Sequence, residues 1–236
     1  MRVERTDTQK TLLEHLEELR VRLLKCAGVF LVTALVSYFF SAKIVDFLTR
    51  SVETLVFIEP FEAFTVRIKV ACFLGFILSL PIILYQIWAY VGVIFEKKQR
   101  RLILVFLPIS ILLCVAGMSF AFLVMIPVAT KFLLSFSTPN LGPMITVNAY
   151  LTFEIMMMIV FGIFFEIPVI LFTLVHLRLL TTKAIAAQRR YYIVGIFIVA
   201  AVLTPGPDVV SQVLLAIPGL LLFEVGLLVA RVVYRR

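Results

Sequence analysis

The stretch YYIVGIFIVAAVLTPGPDVVSQVLLAIPGLLLF, Tyr191 to Phe223, decides how many times this chain crosses a membrane. Its apolar halves, Tyr191 to Thr204 and Val209 to Phe223, are parted by Thr204-Pro205-Gly206-Pro207-Asp208. That turn-rich insert cannot continue a helix and favours a tight reversal. The halves are therefore two short spans or one broken one. At the helical rise each half covers roughly 21–23 Å, less than the roughly 30 Å hydrocarbon layer, so a locally thinned bilayer is expected.

Upstream lie four longer apolar runs, about Leu24 to Phe40, Val70 to Tyr90, Leu102 to Ala129 and Ala149 to Leu177. Uncharged runs near or above about 20 residues mark spanning helices. In a chain of 236 residues that is 62% hydrophobic, they leave more apolar surface than a soluble core could hide. The chain reads as one all-α, polytopic membrane domain over residues 1–236. Its first 25 residues are polar and charged, without the short apolar region and small-residue cleavage site of a removable signal peptide, so the first span is expected to be retained. Cys26, Cys72 and Cys114 are far apart and show no metal-ligand or redox spacing; free, buried thiols are expected, with no metal site and no cofactor.

Charge resolves the question posed by the last stretch. Basic residues cluster before span one, after span two (Lys97, Lys98, Arg100, Arg101), after span four (Arg178, Lys183, Arg189, Arg190) and at the end (Arg231, Arg235, Arg236), which places 17 of the 22 Lys and Arg on one side. The last pair of spans begins and ends on that basic side, so an even number of crossings lies between. Six spans follow, about 24–40, 70–90, 102–129, 149–177, 191–204 and 209–223, with both termini cytoplasmic and the last two spans short. Prolines 81, 108, 127, 168 and 218 fall inside the spans and suggest bent helices around a concavity, although each can equally be a packing irregularity. The outer loop Ser41 to Lys69 can carry short surface helices, and Thr130 to Asn148 reads as a folded cap.

Residues 1–23 are expected to form a cytoplasmic interfacial helix. Thr11 and Glu14 have capping-box spacing, and Leu12, Leu16, Leu19 and Leu23 make one apolar stripe. Glu18 lies four residues before Arg22, the spacing of a helical ion pair. Inside span four Glu166 stands between MMMIVFGIFF and IPVILFTLV. A charge at the bilayer centre costs roughly 2.5–3.5 kcal/mol even on the lenient insertion scale, so Glu166 should face a partner, a bundle interior or a wet cavity. Glu154 and Arg178 lie twelve residues to either side, roughly 18 Å each, which puts Glu166 near the midplane. Asp208 is expected to cap span six, and Glu224 to snorkel or pair with Arg231. Taken alone, Glu166 suits a proton-coupled small-molecule transporter. No protease, hydrolase or nucleotide-binding motif is present, so no enzyme is expected and no catalytic residue is assigned. The basic residues flank spans instead of forming a stripe, which argues against nucleic acid.

Four blocks carry a resemblance: Glu14-His15-Leu16-Glu17-Glu18-Leu19-Arg20-Val21-Arg22; Pro81-Ile82-Ile83-Leu84-Tyr85-Gln86-Ile87-Trp88; Phe165-Glu166-Ile167-Pro168; and Leu203-Thr204-Pro205-Gly206-Pro207-Asp208-Val209-Val210-Ser211-Gln212. In order and over nearly the whole chain they resemble the TatC family, the multispanning receptor subunit of the twin-arginine protein translocase. The resemblance implies an oligomeric complex in the inner membrane of a prokaryote. It would bind twin-arginine signal peptides of folded cargo, assemble with TatA/TatB-like single-span proteins and be driven by the proton-motive force. It implies that Glu18 holds the signal, with Leu16, Leu19 and Arg20 shaping its surroundings and Tyr90 nearby. Arg100 and Arg101 fall on the family's basic pair, but Gln99 stands where the family usually has a glutamate. Glu96, three residues earlier, shares a helical face with Gln99 and can supply the charge if the loop is helical; a solvated Glu96 is the alternative. Thr204 and Gln212 fall where the family docks its small partners, and Gly206 is an extra residue in the usual Thr-Pro-Pro-Asp turn.

Overall fold

The computed structural model describes residues 12–51, 55–91, 101–135, 144–203 and 209–234. Helix α1 runs Leu12–Tyr38 without a break, so the interfacial segment and the first span are one rod. It ends where the amides of Phe39 and Phe40 turn back to the carbonyls of Val36 and Ser37 and the Ser41 hydroxyl donates to Tyr38 O at 2.7 Å. Helix α2, Ser41–Leu48, leaves at 79° and lies on α3. Helix α3 spans Glu62–Val91 and α4 spans Arg101–Phe120. A π-helical turn, Ala121–Met125, then leads into α5, Ile126–Leu134. Pro127 has no amide to offer the carbonyl four residues back, and the widened turn just before it accommodates that loss.

Helix α6 covers Val147–His176. A short α7, Thr182–Ala187, leads to α8, Arg189–Leu203, and α9, Val209–Tyr234. Four stretches are long and apolar enough to cross a membrane, namely 62–90, 104–134, 147–176 and 212–233, and the bent α1–α2 pair passes the same test. Helix α8, at 15 residues, is short as expected. Helix α9 is not: it has 26 residues and continues eleven positions past Phe223. Glu224 does not stop it, because the LLVARVVY that follows Gly226 is a good apolar helix and the carboxylate finds a cation on α8.

Helix α6 is the hub, packing on α3, α4, α8 and α9, while α1 lies chiefly on α3 at one end of the row. Small residues permit these approaches, as expected where lipid gives no hydrophobic drive between helices. A Cβ on Gly117 would sit 2.4 Å from the carbonyl oxygen of Phe161, and one on Gly226 2.8 Å from Pro168 Cα. At the α1–α3 contact a Cβ on Gly75 would lie 2.6 Å from the backbone of Ala34, and Thr33 donates to Gly75 O at 2.9 Å. The main core, around Met157, Phe161, Phe223 and Leu227, fills the α6–α8–α9 side. Large apolar side chains such as Leu35, Leu104, Leu123 and Val202 stay about 70% or more exposed, the outward face that lipid would cover.

The far loops are stapled together. Leu55–Val56 pairs in parallel with Ile145–Thr146. Glu62, only 5% exposed, accepts from the amides of Ile58 at 2.8 Å and Asn148 at 2.9 Å, while Lys69 donates to Asn148 Oδ1 and Thr152 Oγ1. Thr146 caps α6 through the amide of Ala149. The Glu62 carboxylate is the tie between these two connections.

Candidate functional site

Two polar places stand out. The first is the corner where the beginning of α1 meets the end of α3. Arg22 donates from Nε and Nη2 to Oε1 of Glu18 at 3.2 and 2.6 Å, and from Nη1 to Oε1 of Gln86 at 2.9 Å. The predicted Glu18–Arg22 pair is thus present, and Gln86 extends it to a second helix. A depression of about 410 Å³ beside it is lined by Glu17, Glu18, Val21, Arg22 and Lys25. Tyr90 lies one turn beyond Gln86 on the same face of α3. Leu19 is half-buried, whereas Leu16 is 61% exposed and Arg20 is exposed, so the apolar stripe is covered by protein only in part. Glu96, Gln99 and Arg100 lie outside the described residues, and Arg101 opens α4 with its side chain undescribed. Gln86 was not singled out from sequence, although it is the one amide in the apolar run PIILYQIW.

The second place surrounds Glu166, which is 9% exposed. Trp88 Nε1 donates to Ser110 Oγ at 3.1 Å, and Ser110 in turn faces the Glu166 carboxylate. This string joins α3, α4 and α6. Glu166 Oε1 has no partner among the described residues. Neither Trp88 nor Ser110 was assigned from sequence, since both are unremarkable one at a time.

Glu154, twelve residues before Glu166 on the same helix, is 1% exposed, and its Oε2 and the neighbouring Tyr150 hydroxyl are buried without partners among the described residues. Helix α6 continues seven residues beyond Glu154 before ending at Val147. Glu166 lies ten residues from the other end at His176, about 15 Å along the helix, and within five residues of the helix's middle.

Around the last turn, Thr204, Gly206 and Asp208 lie outside the described residues. Gln212 donates to Phe197 O at 2.9 Å, joining α9 to α8. Glu224 pairs with Arg189 instead of Arg231, which ties the same helices at their other ends. Cys114 is buried, but Cys26 and Cys72 are only half-buried. Among the described residues no group of three His, Cys, Asp or Glu could hold a metal.

Helices of this length and composition, with apolar exteriors and polar groups kept to helix junctions, define a multi-pass membrane protein. The model of the family described as TatC, Sec-independent protein translocase protein, matches residues 14–218. The Carboxydothermus hydrogenoformans TatC protein is 39% identical over 229 residues, covering 95% of this chain and 94% of that protein. The Escherichia coli K12 TatC protein is 35% identical over 232 residues, with 95% and 89% covered. A crystal structure of the twin-arginine translocase receptor TatC superimposes with a TM-score of 0.85 at 33% identity, covering 93% of this chain and 99% of that one. This chain belongs to the TatC family, and its role is that of a Sec-independent protein translocase subunit. Family membership replaces the small-molecule transporter suggested by Glu166 alone.

Proposed function

We propose that this chain is the receptor and core subunit of a twin-arginine export system in a prokaryotic inner membrane. It crosses six times with both termini cytoplasmic, binds the paired arginines of signal peptides on folded cargo, and assembles with TatA/TatB-like single-span partners for export driven by the proton-motive force. The observation that carries this reading is that Glu18 and Gln86 already hold one guanidinium, that of Arg22, at a partly exposed corner between two helices. Planar, bidentate carboxylate pairing favours arginine over lysine, which matches a ligand defined by arginines. Glu96 supplies the second carboxylate and Gln99 a neutral hydrogen bond, while Thr204 and Gln212 mark the side where partner helices dock.

The test is titration of the full chain in lipid nanodiscs with a twin-arginine signal peptide and its Lys-Lys counterpart. Saturable binding that the lysine replacement weakens is expected; equal binding of both peptides, or none, overturns the receptor reading. Glu96→Gln is expected to weaken the twin-arginine peptide by about three- to tenfold, as loss of one partly exposed charge-assisted pair would. Unchanged affinity would leave Glu96 a solvated loop residue.

Glu166 acts after recognition in this scheme, because it is buried on α6 facing Ser110 of α4 and contributes no group to the Glu18–Arg22–Gln86 contact. Glu166→Ala is expected to lower export several-fold in inverted membrane vesicles and to leave peptide affinity unchanged. A selective loss of binding, with export of bound precursor preserved, would contradict that division.

A further inference from the structure

Arg22 commits every side of its guanidinium. Nε and Nη2 face Glu18 Oε1 and Nη1 faces Gln86 Oε1. The Glu18 and Arg22 side chains remain 19% and 21% exposed, so the pair sits at a rim that a peptide can reach. The contact is also chemically the same as the one a signal arginine would make with Glu18. We propose that Arg22 is a resident competitor, holding the Glu18 carboxylate in the empty receptor until a signal arginine displaces it. The inference rests on the reading of Glu18 as a signal-binding carboxylate.

Two features separate a competitor from a positioning residue. Glu18 and Arg22 are one turn apart on a continuous α1, so the helix backbone, not Arg22, fixes where the Glu18 side chain originates. Removing Arg22 therefore takes this guanidinium off the carboxylate without moving the helix that carries it. The anchor on Gln86 belongs to another helix, so a displaced Arg22 retains a bond on α3 and need not leave the corner. Peptide entry is then an exchange of one guanidinium for another, with the number of charge pairs nearly conserved. Such exchange lowers affinity and eases release, which a receptor that hands its cargo onward requires. A state that must open before any ligand binds reduces the apparent affinity of every ligand by the same factor. Arg22 therefore sets the strength of binding and leaves the preference for arginine over lysine untouched. Glu17 and Lys25, on the same depression, carry opposite charges and do not reproduce the contact.

The test uses the full chain in nanodiscs as wild type, Arg22→Ala and Gln86→Leu, each titrated with the twin-arginine and Lys-Lys peptides. Arg22→Ala is expected to tighten both peptides by about three- to tenfold, the scale of a partly exposed charged pair, with their ratio unchanged. Gln86→Leu loosens the anchor and should tighten both by less, which keeps the proposal testable if Arg22→Ala folds poorly. Weaker twin-arginine binding in either variant, or a fall in the arginine-to-lysine ratio, would make Arg22 a positioning residue and overturn the proposal. Unchanged affinities in both variants beside a wild type that binds would overturn the competitor alone. A wild type that binds neither peptide would remove the receptor reading as well.

Discussion

Gly75→Leu is expected to unseat α1 from α3 and to dismantle the Glu18 corner with it. A side chain begun at Gly75 would place its first carbon 2.6 Å from both Cα and N of Ala34, which are backbone atoms that no rotamer change can move aside. The helices must separate, and the Thr33 hydroxyl then loses Gly75 O while Arg22 is pulled from Gln86. Overpacking commonly costs about 1–3 kcal/mol, and an interhelical hydrogen bond in a membrane adds about 0.6–2 kcal/mol. Because α1 lies chiefly on α3, little else holds it in place. The thermal unfolding midpoint in nanodiscs should fall clearly, and twin-arginine affinity should drop by more than about tenfold, the scale of those combined losses. Gly28→Leu is the matched control on α1 itself, since a Cβ there meets nothing within 4 Å. An unchanged midpoint for Gly75→Leu, or an equal fall for Gly28→Leu, would show that the α1–α3 contact is not the support of the site.

These contacts explain which parts of the molecule can be read from the chain. The long helices were legible because apolar runs report burial in lipid or protein directly, and α6 falls within two residues of the run that predicts it. The end of α9 was misplaced because Glu224 looks like a membrane boundary until Arg189, 35 residues away in sequence, is brought beside it. Glu18–Arg22 was predictable because helical spacing alone makes that pair. Gln86, Trp88 and Ser110 were not, since each acquires its role from a partner on another helix and no local period announces it. Sequence thus identifies groups whose neighbours are one turn away and underrates those that meet only through packing.

Reversing the charge at the corner separates the recognition chemistry from the fold. Glu18→Lys removes the carboxylate and puts an ammonium one turn before Arg22, so each incoming guanidinium meets two cations where it had met an anion paired with one cation. Juxtaposing like charges at an interface costs several kcal/mol, and twin-arginine affinity is expected to fall by more than about a hundredfold. The helix itself should survive, because a like-charged pair four apart on an exposed face destabilises it by only about 0.2–0.5 kcal/mol and the Gly75–Ala34 contact is untouched. Unfolding and binding should therefore part company, in contrast to Gly75→Leu, where both are lost. Salt gives an independent sign. Screening should weaken peptide binding to the wild type and partly restore it in Glu18→Lys, since attraction in one and repulsion in the other are reduced by the same ions. A peptide with Glu-Glu in place of Arg-Arg should bind the variant better than the wild type. If Glu18→Lys keeps twin-arginine affinity, or loses it with no inversion of the salt response, the arginines are read elsewhere on the protein, and the carboxylate at this corner is not their site.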